Sequence, residues 1–124
     1  MADCSRLPIL VIDEDEDFRT ALAENLRGDG HGVIECRRVE DALVAARENP
    51  GVSLVAGHGP GGRNGFETAD AFWAGGGGSV LLLAGCIDGS MEGRVGRRSR
   101  LRLLAKPVLY DRLHEVVHGM AERG

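Results

Sequence analysis

Five consecutive acids, Asp13-Glu14-Asp15-Glu16-Asp17, follow directly on the apolar run Leu7-Pro8-Ile9-Leu10-Val11-Ile12. Near the other end of the chain a second apolar run stops at Lys106-Pro107. Acids and a lysine at the ends of buried strands suit a pocket that handles phosphate, where carboxylates hold a hard cation and an ammonium meets phosphate oxygens. A third carboxylate is expected at the end of another apolar strand halfway along, but the chain there reads Leu54-Val55-Ala56-Gly57-His58-Gly59. The frame of such a site is present without the side chain that would take the phosphoryl group.

The elements that must position these residues alternate. Strand-like runs at Ile9–Ile12, Gly32–Cys36, Val52–Ala56, Ser79–Ala84 and Leu101–Ala105 are short and apolar on both faces, as buried parallel strands are. Helix-like runs lie between them. From Asp17 to Arg27 the spacing puts Phe18, Ala21, Leu22 and Leu26 on one face, with acids in the first turn where the helix dipole favours them. From Val39 to Asn49 it buries Val39, Ala42, Leu43 and Ala46. Phe66, Ala69 and Trp73 line a third helix, which runs into Gly75-Gly76-Gly77-Gly78; four glycines cannot hold a helix and predict a flexible connection. The segment Cys86 to Arg100 reads as a frayed helix or a loop. In the last helix Leu109, Leu113, Val116, Val117 and Met120 repeat along one face, which should pack near the first helix. Alternating strands and helices predict an α/β domain with a mostly parallel sheet.

Length and composition set bounds. A chain of 124 residues suits one compact domain, residues 1–124, with a single function. Its 43% apolar and 27% charged residues are those of ordinary globular proteins, and a net charge of −4 disfavours direct nucleic-acid binding by bulk charge. The apolar runs fall far short of the roughly 20 residues that span a bilayer. With no signal-peptide pattern at the first residues, the expected location is the cytoplasm. Cys4, Cys36 and Cys86 are widely spaced and odd in number, which fits reduced structural thiols.

The order of strand ends, Asp13-Glu14 after the first, Gly57-His58 after the third and Lys106 after the fifth, resembles the receiver domains of two-component response regulators across nearly the whole chain. The resemblance implies a three-layer (βα)5 sandwich of the flavodoxin-like kind with five parallel strands. It implies that Asp13 and Glu14 match the acid pair that holds magnesium, and that Lys106, with Pro107 at a typical cis-peptide position, matches the phosphate-site lysine. The turn Gly62-Arg63-Asn64-Gly65-Phe66-Glu67 looks like the family's Gly-x-Asp-Gly-Leu-Glu segment. Counting back from Gly65 puts the phosphoacceptor position at Gly57; aligning on the strand pattern alone puts it at His58. Two switch positions also depart from the family: the hydroxyl residue is Ala84 and the aromatic residue is Leu103.

Chemistry makes the acceptor substitution decisive. Phosphoryl transfer needs an oxygen or nitrogen nucleophile in line with the leaving group, and glycine offers none. With one of three carboxylates missing, Lys106 is expected to move onto the acids and stand in for the metal, since opposite unit charges about 4 Å apart attract by roughly 4 kcal/mol at an effective dielectric near 20. No cofactor is expected beyond weak magnesium at Asp13 and Glu14, and no enzymatic activity.

Other residues have milder readings. His58 in a glycine-rich loop has no evident activating partner, yet an active receiver phosphorylated there is the first alternative. A small nucleotide-binding module using the loop from Gly57 to Gly65 with Lys106 is the second, although the loop lacks a Gly-Lys-Ser/Thr ending. His114 and His118 stand one helical turn apart without a third ligand in view. Arg94, Arg97, Arg98, Arg100 and Arg102 form a basic strip that would usually be a solvated face. In receivers, however, the fourth helix, fifth strand and fifth helix form the docking and dimerisation face. The expected function is therefore phosphorelay signal transduction by an atypical receiver. It is not phosphorylated at the usual position and docks on a signalling partner, a histidine kinase or a second copy through Arg94, Arg97, Arg98 and Arg100.

Overall fold

The computed structural model describes residues 7–58, 64–85, 87, 89–95 and 100–123. Within them the chain forms β1 (Ile9–Ile12), α1 (Glu16–Gly28), β2 (Val33–Cys36), α2 (Val39–Glu48), β3 (Ser53–His58), α3 (Gly65–Ala74), β4 (Val80–Ala84), α4 (Gly89–Val95), β5 (Leu101–Ala105) and α5 (Tyr110–Arg123). The strands make one parallel sheet in the order β2-β1-β3-β4-β5. This is the expected α/β architecture.

The period-two alternation of strand side chains builds two cores. On one face Leu10, Ile12, Leu54, Ala56, Val80 and Leu82 pack with Ala42, Ala46, Phe66, Ala69 and Phe72 of α2 and α3. On the other, Ile9, Val11, Val55, Leu81 and Leu83 pack with Leu22 and Leu26 of α1 and with Leu113, Val117 and Met120 of α5. A large side chain so buried contributes about 1.5–3 kcal/mol; Phe66 and Phe72 are fully enclosed.

Several local expectations need correction. β1 and β4 are buried along their whole length, but β2 and β5 are edge strands, and Ile34 is 38% exposed. In α1 the inward face is Arg19, Leu22, Ala23 and Leu26, while Ala21 is exposed. Leu109 precedes α5 and is 79% exposed, so it does not belong to that helix's apolar face. Residues Gly89–Val95 are helical, which decides the uncertain fourth crossover in favour of a short helix.

The glycine run after α3 is not a loose connection. Gly76 has φ +101, a Cβ at Gly77 would overlap the Phe72 ring, and one at Gly78 would overlap the Gly51 carbonyl. Backbone bonds tie the run down, from Gly77 N to Phe72 O at 2.9 Å, Gly78 N to Val52 O at 2.7 Å and Gly51 N to Gly76 O at 2.9 Å. The Trp73 indole N–H donates to Gly78 O at 2.7 Å. Glycine is needed there because backbone and ring approach too closely for a side chain.

Candidate functional site

Strand register brings the site together. Ile12 pairs with Ala56, so the next residues, Asp13 and Gly57, lie side by side at the carboxyl edge of adjacent strands. Gly57 in turn pairs with Leu83 and His58 with Ala84, because β3 runs two residues further than its apolar pattern indicated. Ala84 pairs with Ala105, and the Lys106 amide donates to Ala84 O at 2.8 Å, which sets the lysine at the same edge. The Lys106-Pro107 peptide is cis.

Asp13 is 6% exposed and held from several sides. Lys106 Nζ meets its Oδ2 at 2.9 Å, and the Asp15 amide donates to its Oδ1 at 2.9 Å. The ammonium also lies 4.4 Å from the centre of the Phe18 ring, a cation–π distance. The helix that follows starts on Asp15, whose side chain accepts from the Phe18 amide at 3.1 Å. Glu14, the other half of the acid pair, is exposed.

Gly57 is the centre of the arrangement. A Cβ built on it would stand 2.6 Å from Asp13 Oδ2 and 3.0 Å from its Cγ. The Asp13 carboxylate thus fills the room that a side chain at position 57 would need. Ala84 is fully buried and Leu103 is half-buried against the α2–α3 core. A magnesium ion asks for several hard oxygens in octahedral array. Here one carboxylate is neutralised by an ammonium, the neighbouring position is glycine, and among the described residues no three His, Cys, Asp or Glu converge. Asp13 and Glu14 are the residues that would hold the ion, and Asp13 is already engaged by Lys106.

A buried arginine, overlooked in the sequence, supports this corner. Arg19 is 7% exposed; its guanidinium donates to Asp13 O at 3.1 Å and to Glu35 Oε1 at 3.3 Å. Thr20 Oγ1 adds a bond to the same oxygen at 3.1 Å, and Arg27 lies 3.6 Å from Oε2. The signal was available, since positions 19, 22, 23 and 26 share one helical face. Arg19 was passed over because a charged residue is presumed to face solvent.

The remaining candidates are less tightly knit. Arg97 and Arg98, the residues from Gly59 to Arg63, and the side chains of His58 and Arg94 lie outside what is described. Arg100 sits 5.6 Å from the Trp73 ring centre and donates to Gly77 O at 3.2 Å, so it braces the glycine joint. Arg102 is exposed on β5 beside a cavity of about 350 Å³ between α4, β5 and α5, which Val95, Leu103, Val116, Arg112 and Glu92 also line. Arg112 pairs with Glu115 at 3.1 Å. His114 and His118 have ring centres 6.1 Å apart, but the nearer neighbour of His114 is His31, with Nε2 atoms 3.2 Å apart.

Solved structures share this fold. The receiver domain of the hybrid histidine kinase CckA superposes with a TM-score of 0.74 at 24% identity, covering 93% of this chain and 99% of that one. The signal receiver domain of a putative Luxo repressor protein from Vibrio parahaemolyticus gives 0.81 at 15% identity over 95% and 92%. FixJ-N gives 0.79 at 19% identity over 93% of each chain. The fold is the flavodoxin-like (βα)5 fold of response-regulator receiver domains. Neither a protein-family model nor a curated protein matches the sequence.

Proposed function

We propose that residues 1–124 form a single receiver module of a two-component phosphorelay that does not take a phosphoryl group at the usual position and acts by docking. The observation that carries this reading is the Asp13 carboxylate beside Gly57, clamped by Lys106 at 2.9 Å. Position 57 is the acceptor position on this reading, because Asp13 adjoins it across the β1–β3 register. It offers no nucleophile, and the ammonium neutralises the acid that would otherwise help to hold a metal. Ala84 and Leu103 remove the hydroxyl and the ring that would couple a phosphate to the far face.

With no phosphate switch, the signal lies in what binds the face of α4, β5 and α5. Its cavity is lined by the apolar Val95, Leu103 and Val116 and by Arg102 and Arg112 against the single acid Glu92, which suits an acidic, partly apolar segment of a signalling protein, a histidine kinase or a second copy. Such a module catalyses no reaction, works in the cytoplasm and touches neither nucleic acid nor membrane. No helix among the described residues is long and apolar enough to cross a bilayer.

Intact mass after incubation with acetyl phosphate or a phosphorylated histidine kinase tests the reading. The expected mass is unchanged. An acid-labile adduct mapped to His58 would replace it with an active receiver using that nitrogen. An unchanged mass accompanied by a nucleotide-dependent rise in melting temperature would favour the nucleotide-binding module instead.

A further inference from the structure

A second cluster of chemistry-bearing side chains lies away from Asp13 and Lys106. His31 stands in the turn that ends α1 and precedes β2, at the amino edge of the sheet, where its amide bonds Leu26 O at 3.1 Å and Gly30 before it has φ +95. Across from it, one turn into α5, is His114. Their Nε2 atoms are 3.2 Å apart with ring planes at 65°. Asp29 Oδ2 is 3.9 Å from the same His114 nitrogen and receives the Tyr110 hydroxyl at 2.7 Å. Tyr110 also stacks on the His114 ring at 5.6 Å, and its hydroxyl oxygen lies 3.0 Å from Asn25 O, which shares the same hydrogen.

We propose that His31 and His114 form a surface site for a divalent transition metal of the zinc type, which would clasp the α1–β2 turn to α5. Two imidazole nitrogens bound to tetrahedral zinc at about 2.0–2.1 Å are about 3.3 Å apart, close to the spacing already present. Binding requires the hydrogen shared between the rings to move to an Nδ1 and the two rings to tilt, so that both Nε2 lone pairs converge on the ion. Both rings are half-buried, with the exposed Asp29 and His118 beside them, so the ion has a path from solvent. No three ligands converge among the described residues. Water therefore completes the coordination, with Asp29, fixed by Tyr110, as the nearest carboxylate to join it. Imidazole pairs favour zinc, nickel and copper over magnesium, which separates this site chemically from the acid pair. It stands on these distances alone and does not depend on the signalling role.

Zinc chloride titrated into the full reduced chain, read by calorimetry and by the imidazole ¹⁵N resonances, tests the proposal. One equivalent is expected to move the ring signals of His31 and His114 together, and the dissociation constant is expected to rise at least about tenfold in His31→Gln and in His114→Gln. In His118→Gln it should stay within about twofold, since that ring is not a required ligand. The proposal is overturned if no saturable uptake occurs below about 1 mM, a concentration at which only weak sites fill, or if the cysteines take the metal while both rings stay unmoved. It is equally overturned if His118→Gln abolishes uptake that survives in His31→Gln, because the ion would then sit on the one-turn pair of α5. The ring resonances of the unmodified chain decide the matter even where a variant fails to fold.

Discussion

Asp13 Oδ2 lies 2.9 Å from Lys106 Nζ and 2.6 Å from the point a Cβ on Gly57 would occupy. A single oxygen thus holds the lysine and occupies the place that a side chain on the neighbouring strand end would take. The acid is almost wholly buried and the lysine 30% exposed, so the pair is partly shielded from water and survives moderate salt.

Restoring an acid is expected to reopen the metal site. In Gly57→Asp the new side chain must displace the Asp13 carboxylate, and the like charges then favour a cation between them. A magnesium titration followed by the amide shifts of residues 13–15 and 57 should show a response near or below about 1 mM in the variant and none in the parent. Gain of affinity in His58→Asp instead would put the acceptor one residue later.

Lys106→Met tests the ammonium as a substitute for the ion. Without it the buried Asp13 carboxylate keeps, among the described residues, the Asp15 amide alone and loses its counter-charge. Urea unfolding without metal should fall by about 1–3 kcal/mol, less than for a fully buried pair because the lysine is partly solvated. Magnesium should recover part of that loss in the variant and do nothing for the parent.

Arg19→Met removes the bonds to Asp13 O and Glu35 from a buried position. The Asp13 carbonyl loses this donor while Glu35 keeps Thr20 and Arg27, and a cost of about 1–3 kcal/mol in denaturant unfolding is expected. Arg19→Lys should recover little of it, since an ammonium cannot reproduce the forked geometry.

The glycine joint predicts a contrast within one tetrapeptide. Gly77→Ala forces a methyl into the Phe72 ring and should cost about 1–3 kcal/mol. Gly75→Ala meets only ordinary contacts at 3.7 Å and should change stability by less than about 1 kcal/mol. Equal losses at both positions would mean that a general helix-end effect, not close packing, governs the run.

Alkaline pH should destabilise the fold through Cys36. Burial, helped by the charge of Asp41 and opposed by Arg19, pushes this thiol up to about 11 from 9.0. Below 9 both states keep the proton and the thiol's contribution is whole. Between 9 and about 11 the unfolded chain ionises first, so stability falls as pH rises, by up to about 1.4 kcal/mol per unit. Cys36→Ala should flatten that part of a stability profile. Native Cys36 should also resist iodoacetamide at neutral pH until denaturant is added.

Much of this molecule was legible along the chain because short-range patterns carry it. Alternating apolar runs located every strand, and helical spacing located α1, α2, α3 and α5, since burial of one face repeats with the period of the element. The short α4 stayed ambiguous because glycines and polar residues hide its period. Arg19 and Ala23 were missed in α1, and Leu109 was wrongly included in α5, where composition outweighed spacing. The glycines after α3 read as loose because sequence reports their backbone freedom but not the Phe72 ring and Gly51 carbonyl packed against them.

The order of charges along the chain is a property of the sequence itself, and with strand periodicity it pointed to the fold class. Tertiary structure alone decided that Asp13 turns to Lys106, 93 residues away, that Arg19 ties β1 to β2, and that His31 rather than His118 faces His114. Periodicity records which face of each element meets the core. Distances between side chains far apart in the chain arise only when strand order and packing bring separate elements together.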